Sequence, residues 1–184
     1  GNFVIIRYNL KDEIEFESAA KVVLLFTQDV RYKEFARSVH RKWLALGREI
    51  ELKVKDRPSM YSLVYLENPF IVPGGRFREC YYWDSYWTIL GLLASEMNDT
   101  VKGGIEHNYI SKNTALVFMA GPSTNLLIQY DILILGMLYN LSSLISRYGM
   151  VPNGNRVYYI QRSQPPMFPS MVEAYYKVCY LFPF

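Results

Sequence analysis

The segment from Pro69 to Trp87 constrains what this chain can fold into more than any other stretch. Its first part cannot continue a regular helix or strand, because it contains two prolines and the adjacent glycines Gly74 and Gly75. Glycine permits a positive φ and also lets a neighbouring group approach closely. The sequence therefore predicts a tight, irregular loop that leads into an aromatic-rich stretch.

Charged and aromatic side chains alternate after this loop, which is a composition typical of a sugar-binding site. They are Arg76, Phe77, Glu79, Tyr81, Tyr82, Trp83, Asp84, Tyr86 and Trp87. A pyranose stacks its C–H face on an aromatic ring, and its hydroxyl groups bind guanidinium donors and carboxylate acceptors. Composition alone supports a purely structural interpretation equally well, with the rings as core and an Arg–Asp pair as a support.

The overall composition limits the class of function. Hydrophobic residues make up 51% of the 184 residues and aromatic residues 16%, which indicates a folded domain with a core. The net charge is only +3, and the basic residues within 37–48 are interpreted as a solvated helix face, so no nucleic-acid partner is predicted. The two cysteines and two histidines form no zinc spacing and no Ser-His triad, so no metal site is predicted.

The sequence gives little indication of a transmembrane helix or of the cellular compartment. Gly121, Pro122 and Asp131 interrupt the apolar residues between 116 and 135, so no run reaches the roughly 20 apolar residues of a transmembrane helix. The chain lacks a signal-peptide pattern at its start, but it does not begin with Met, so the compartment stays open. Asn98 and Asn140 begin glycosylation sequons, which are too common by chance to decide it.

Hydrophobic periodicity predicts mostly helix. Residues 12–56 are predicted to be helical, with an apolar stripe at Phe35, Val39, Trp43, Leu46, Ile50 and Val54. Asp84 or Ser85 is expected to cap a second helix that runs to about Asn98. That helix is expected to bury Tyr86, Leu90, Leu93 and Met97.

Two blocks of sequence resemble the signatures of the trehalase family of glycoside hydrolases. Residues 73–86 match Pro-Gly-Gly-Arg-Phe-x-Glu-x-Tyr-x-Trp-Asp-x-Tyr, a long pattern of rare residues at fixed spacing. Residues 152–166 resemble the family's Pro-Asn-Gly-Gly-Arg-Val-Tyr-Tyr-x-x-Arg-Ser-Gln-Pro-Pro segment. The difference in its core is Asn155 in place of Gly, and Asn tolerates the left-handed conformation that such a turn could require.

The resemblance implies a mainly α fold, namely part of an (α/α)₆ toroid of the six-hairpin glycosidase type, with a short β-hairpin near 156–161. Residues 1–184 are interpreted as one incomplete catalytic domain. It is family-like over 43–103 and 136–177 and has an atypical tail at 178–184. Residues from about 104 to 135 are interpreted as an insertion that lies outside the sugar site, packs poorly against the helices that carry the two blocks and is dispensable. Retained intron sequence and a genuine lineage-specific segment are both open explanations for it.

The resemblance also implies the chemistry, which is inverting hydrolysis of α,α-trehalose to two glucose molecules without a metal or organic cofactor. Inspection of the residues alone would nominate Glu79 and Asp84 as the acid and base that glycosidases use. The family instead places its general acid Asp and general base Glu in later motifs, including a Gln-Trp-Asp sequence that is absent here. No catalytic residue is therefore expected within this chain.

The resemblance assigns the chain to the sugar-binding wall of the enzyme. Seven residues are expected to contact trehalose, namely Arg76, Trp83, Asp84, Asn153, Arg162, Ser163 and Gln164. Phe77 is expected to line the pocket, and Glu79 is expected to hold an arginine behind it. Family membership is compatible with a secreted or membrane-anchored extracellular enzyme and does not indicate an oligomeric state.

Two alternatives to an active trehalase remain at this stage. The chain could belong to an inactive fragment or pseudoenzyme that only binds sugar, since the acid and base motifs are missing. It could also belong to a related (α/α)₆ glycosidase with another disaccharide specificity.

Overall fold

A computed structural model describes residues 5–7, 29–96 and 125–178 of the chain. The mainly α class is confirmed, since helices account for most of the described residues. In chain order the helices are α1 (Val30–His40), α2 (Lys42–Leu46), α3 (Leu52–Asp56), α4 (Tyr82–Glu96), α5 (Asn125–Tyr148) and α6 (Phe168–Tyr176). The strands are β1 (Ile5–Arg7), β2 (Gly47–Ile50) and β3 (Phe70–Ile71).

The prediction of continuous helix through the described part of 12–56 is wrong at Gly47–Ile50. This segment is the central strand of a three-stranded antiparallel sheet, in which Ile5 pairs with Ile50 and Gly47 pairs with Ile71. The apolar stripe therefore does not lie on one helix, and Phe35 at its start is 67% exposed. Pairing with two distant strands outweighs the local helical periodicity.

The core lies between the sheet and helices α4, α5 and α6. Helix α4 begins at Tyr82, earlier than the predicted cap at Asp84 or Ser85, and the Tyr82 hydroxyl accepts a hydrogen bond from the Phe168 N–H at the start of α6 (2.9 Å). The members of the core that these helices contribute include Ile89, Leu92, Leu93, Leu133, Ile134, Met137, Leu141, Leu144 and Met171. Tyr86 and Leu90 of the predicted set are only partly buried, and Met97 lies outside the described residues.

Helix α5 holds Asn68, the residue before the loop of the first sequence block, through two residues one turn apart. Asn140 is buried, and its amide accepts from the Asn68 N–H (3.0 Å) and donates to the Asn68 carbonyl (2.9 Å). A Cβ added at Gly136 would lie 2.9 Å from the Asn68 Cβ, so this close approach requires glycine. The side-chain amide of Asn140, which begins one of the two sequons, thus makes structural hydrogen bonds. Asn98, which begins the other sequon, lies outside the described residues.

The predicted hairpin near 156–161 is replaced by a turn of 3₁₀ helix at Val157–Tyr159. Extended pairing is limited to isolated bridges, between Leu63 and Arg156 and between Tyr81 and Gly154. The extended pairing of the second block is therefore with distant parts of the chain.

Of the predicted insertion, residues 104–124 lie outside the described residues, and 125–135 form the first part of α5. Leu133 and Ile134 are buried in the core, so this end of the range packs against the motif-bearing helices, contrary to the expectation of a poorly packed excursion. Among the helices that the structure describes, none combines the length and hydropathy needed to cross a bilayer.

Candidate functional site

The two sequence blocks meet through their backbones. The Tyr82 N–H at the start of α4 donates to the Asn153 carbonyl (3.2 Å), and the Asn153 N–H donates to the Arg162 carbonyl (2.9 Å). The Trp83 N–H donates to the side-chain oxygen of Gln164 (2.8 Å), which satisfies one of the free N–H groups at the start of the helix. Residues separated by about 80 positions in sequence are thereby brought to one place.

The first block reaches α4 through a turn that explains its paired glycines. Gly74 and Gly75 have φ values of +104° and +59°, which residues with a Cβ rarely adopt. The Gly74 and Phe77 backbones exchange hydrogen bonds of 3.0 and 3.3 Å across this turn. The predicted tight loop is thus confirmed, and it places Arg76 at an exposed position within it.

Asn155 joins three segments of chain at the centre of the site. Its side chain is fully buried, accepts from the Cys80 N–H (2.9 Å) and donates to the Val64 carbonyl (3.2 Å). Its backbone also pairs with Cys80 and Val64. The described residues other than glycine all have negative φ, so Asn155 does not use the left-handed conformation considered from sequence, and its amide has a bridging role instead.

An ion pair ties the blocks together a second time. The Arg156 guanidinium donates to one oxygen of Glu79 through Nε (3.0 Å) and Nη2 (2.7 Å). The Tyr81 hydroxyl donates to the other oxygen of Glu79 (3.0 Å), and Arg156 Nη1 donates to the Ser62 hydroxyl (2.9 Å). Glu79 therefore holds an arginine as predicted.

Leaving Trp83 aside, four of the six other predicted contact residues have side chains that take no part in this framework. Within the described parts of the chain, the polar side-chain atoms of Arg76, Asp84, Asn153 and Arg162 make no hydrogen bond or ion pair. The side chains of Asp84 and Asn153 are partly buried. Ser163 instead donates to the Val151 carbonyl (2.6 Å). The supporting residues are thus separated from those available to a ligand.

Two of these open side chains lie beside a series of ring contacts between the two blocks, which we call the aromatic row (Phe77, Tyr81 and Tyr159). The ring centroids are 5.7 Å apart from Phe77 to Tyr81 and 6.0 Å apart from Tyr81 to Tyr159, both edge-to-face. The Arg76 guanidinium lies 5.0 Å from the Phe77 centroid, and that of Arg162 lies 5.1 Å from the Tyr159 centroid. One guanidinium from each block thus contacts the row.

Trp83 contributes a further aromatic surface at the first turn of α4. It is partly buried and packs edge-to-face on Trp87, with the ring centroids 5.8 Å apart. Trp87 is itself largely exposed and also contacts the Tyr86 ring at 4.9 Å. These rings offer the flat apolar faces that the C–H side of a sugar requires.

The Cys80 thiol should not react with iodoacetamide in the native protein at neutral pH. Cys80 is 4% exposed, and burial raises the pKa of its thiol to about 11, so the reactive thiolate is scarce. Mass spectrometry of the peptide that contains Cys80 should find alkylation only after denaturation in urea. Alkylation of this peptide in the native state would show that the backbone junction at Cys80 opens.

Comparison with known proteins decides the family. A family model described as trehalase matches residues 8–114 and 126–181. This chain belongs to the trehalase family. The resemblance seen in the two sequence blocks is therefore confirmed, and the match also extends well beyond them. Its break at 115–125 lies inside the range 104–135, whose status as an insertion remains a prediction.

Curated trehalases from distant organisms are similar to the chain. The trehalase of Homo sapiens is 42% identical over 147 residues, which cover 80% of this chain and 20% of the relative. That of Tenebrio molitor is 37% identical over 174 residues, covering 91% and 25%, and that of Arabidopsis thaliana is 34% identical over 167 residues, covering 91% and 21%. The chain thus spans between a fifth and a quarter of the length of these trehalases.

Sequence reasoning missed the structural roles of Asn155, Arg156 and Ser62 in this part of the trehalase fold. Arg156 and Glu79 are separated by 77 positions, and no local periodicity relates them. The available signal was that Glu79 was expected to hold an arginine while the second block contained one arginine without an assigned role, Arg156.

Proposed function

We propose that this chain forms the sugar-binding wall of an inverting α,α-trehalase, which hydrolyses trehalose to two glucose molecules. The observation that carries the proposal is the meeting of the two trehalase blocks with the side chains of Arg76, Asp84, Asn153 and Arg162 left open. In this role the two guanidinium groups donate hydrogen bonds to sugar hydroxyls. The Asp84 carboxylate accepts hydrogen bonds from sugar hydroxyls. Each charge-assisted hydrogen bond contributes about 1.5–3 kcal/mol.

Trp83, Ser163 and Gln164 complete the proposed wall. The Gln164 oxygen is occupied by the Trp83 N–H, which leaves its amide NH₂ as a donor toward the sugar. The Ser163 hydroxyl donates to Val151 and keeps its lone pairs as acceptors. The Trp83 ring supplies the stacking face, and Phe77 lines the pocket beside Arg76.

The general acid and base belong, in this proposal, to parts of the trehalase outside these 184 residues. Inverting glycosidases need two carboxyl groups about 6.5–9.5 Å apart, one of which activates a water molecule. Both oxygens of Glu79 are occupied by Arg156 and Tyr81, which argues against Glu79 as either partner. The role of this chain is then to orient the disaccharide, and correct orientation lowers the barrier for the two carboxyl groups.

Hydrolysis of trehalose by the full-length protein that includes this chain tests the proposal. We expect glucose release from trehalose in preference to maltose and sucrose, and none from the 184-residue chain alone. Proton NMR during the first turnovers should show one α-glucose and one β-glucose per trehalose, because inversion changes one anomeric centre only. Preference for maltose would favour the alternative of a glycosidase with another specificity, and binding of trehalose without turnover would favour an inactive sugar-binding protein.

A further inference from the structure

The two guanidinium groups assigned to the sugar are connected through the centre of the aromatic row. Among the described residues, Arg76 contacts the Phe77 ring and Arg162 contacts the Tyr159 ring, while Tyr81 contacts both of these rings. Tyr81 is therefore the ring that connects the Phe77 contact in the first block with the Tyr159 contact in the second block. Any group that holds Tyr81 also influences where the two guanidinium groups meet a ligand.

Glu79 holds the Tyr81 hydroxyl. The Tyr81 hydroxyl donates to it, and burial together with the Glu79 carboxylate raises the pKa of Tyr81, which keeps that hydroxyl a donor. Glu79 is itself fixed by two bonds from Arg156, and the two side chains are only 13% and 24% exposed. A partly buried ion pair that is joined by two hydrogen bonds keeps a defined geometry better than an exposed ion pair does.

We propose, on the basis of the proposed function, that Glu79 and Arg156 are positioning residues for the trehalose site. The pair fixes Tyr81, and through the aromatic row it fixes the distance between Arg76 and Arg162. Glu79 and Arg156 do not touch the sugar in this proposal, since each polar end of both side chains already has a partner from Ser62, Tyr81 or the pair itself.

Two single variants of the full-length enzyme and their combination test this role with trehalose as the substrate. Glu79→Gln keeps the shape of the side chain but removes its charge, and Tyr81→Phe keeps the ring but removes the hydroxyl. Each should raise KM about tenfold and leave kcat within about twofold, because the sugar is held less well in both the ground state and the transition state. The double variant should be little worse than either single one, since both break the same link.

The change in KM separates positioning from a purely structural role. Partial unfolding would reduce the amount of active enzyme, and therefore kcat, but would leave KM unchanged. Glu67→Gln is the matched control, because the Lys55–Glu67 pair (3.1 Å) is an exposed ion pair outside both blocks, and this variant should keep the wild-type KM and kcat.

The possible failures are distinguishable. If the wild-type protein hydrolyses trehalose and the KM values of Glu79→Gln and Tyr81→Phe match that of Glu67→Gln, the positioning role is overturned and the proposed function stands. If the wild-type protein does not hydrolyse trehalose, the proposed function fails, and the positioning role fails with it.

Discussion

Replacing Arg76 and Arg162 together by Met is expected to lower kcat/KM for trehalose by about 10²- to 10⁴-fold. Each guanidinium is assigned one or more charge-assisted hydrogen bonds of about 1.5–3 kcal/mol, and a tenfold change corresponds to about 1.4 kcal/mol. Met keeps much of the length and apolar character of the arginine stem. The double variant therefore loses two charges and their hydrogen-bond donors but little packing against the aromatic row. Steady-state kinetics with the full-length enzyme measures the effect.

The same double variant should unfold at nearly the wild-type temperature. Neither guanidinium bonds to another described residue, and contact with an exposed ring contributes only about 0.5–1 kcal/mol. Arg57→Met provides a control, since Arg57 is an exposed arginine that follows α3 and lies outside both blocks. A double variant as active as this control would remove the two arginines from the sugar site.

Replacing Asn155 by Ala is expected to lower the free energy of unfolding by about 2–5 kcal/mol. The substitution leaves the Cys80 N–H and the Val64 carbonyl without their side-chain partners in a buried place. Each buried group that loses its partner costs about 1–3 kcal/mol. Urea unfolding followed by tryptophan fluorescence should report the loss, since Trp83 lies at the junction that Asn155 fastens.

Asn153→Ala is the matched control for this variant, two positions away in the same block. The Asn153 side chain makes no hydrogen bond within the described chain, so its loss should cost less than about 1 kcal/mol of stability. It should instead weaken trehalose hydrolysis, because Asn153 is assigned to the sugar. The hypothesis of separate structural and binding roles fails if Asn153→Ala is the less stable of the two variants.

Local sequence was sufficient for the features that depend on neighbouring residues. The paired glycines predict the turn at 74–77, since only glycine adopts its φ values readily. The start of the helix that follows is predicted by its apolar spacing to within a few residues, and its predicted end at Asn98 lies outside the described residues. Its true start, Tyr82, is not predicted because its first N–H groups are satisfied by Asn153 and Gln164 from the second block and not by a local cap.

Features that depend on distant residues could not be predicted in this way. Gly47–Ile50 continues a helical pattern but becomes a strand because β1 and β3 flank it. Residues 156–161 contain the β-branched and aromatic residues of a hairpin, yet they form a 3₁₀ turn, because the backbone at Arg156 pairs with Leu63. Within the candidate site, the motif comparison selected the residues. Three-dimensional packing determines which of their side chains hold the backbone of the two blocks and which make no hydrogen bond within the described chain.

The contact between Asn68 and α5 has a consequence for the rotational setting of that helix. Gly136 is the one position beneath Asn68 that lacks a side chain, and Asn140, one turn later, supplies the matching amide. A rotation of α5 by one residue, about 100°, would bring Leu135 or Met137 against Asn68 and separate the two amides. The direction in which the chain leaves α5 toward Asn153 is therefore fixed by residues of α5 that follow Asn125. We expect changes of chain length before that point to leave the orientation of the second block unchanged.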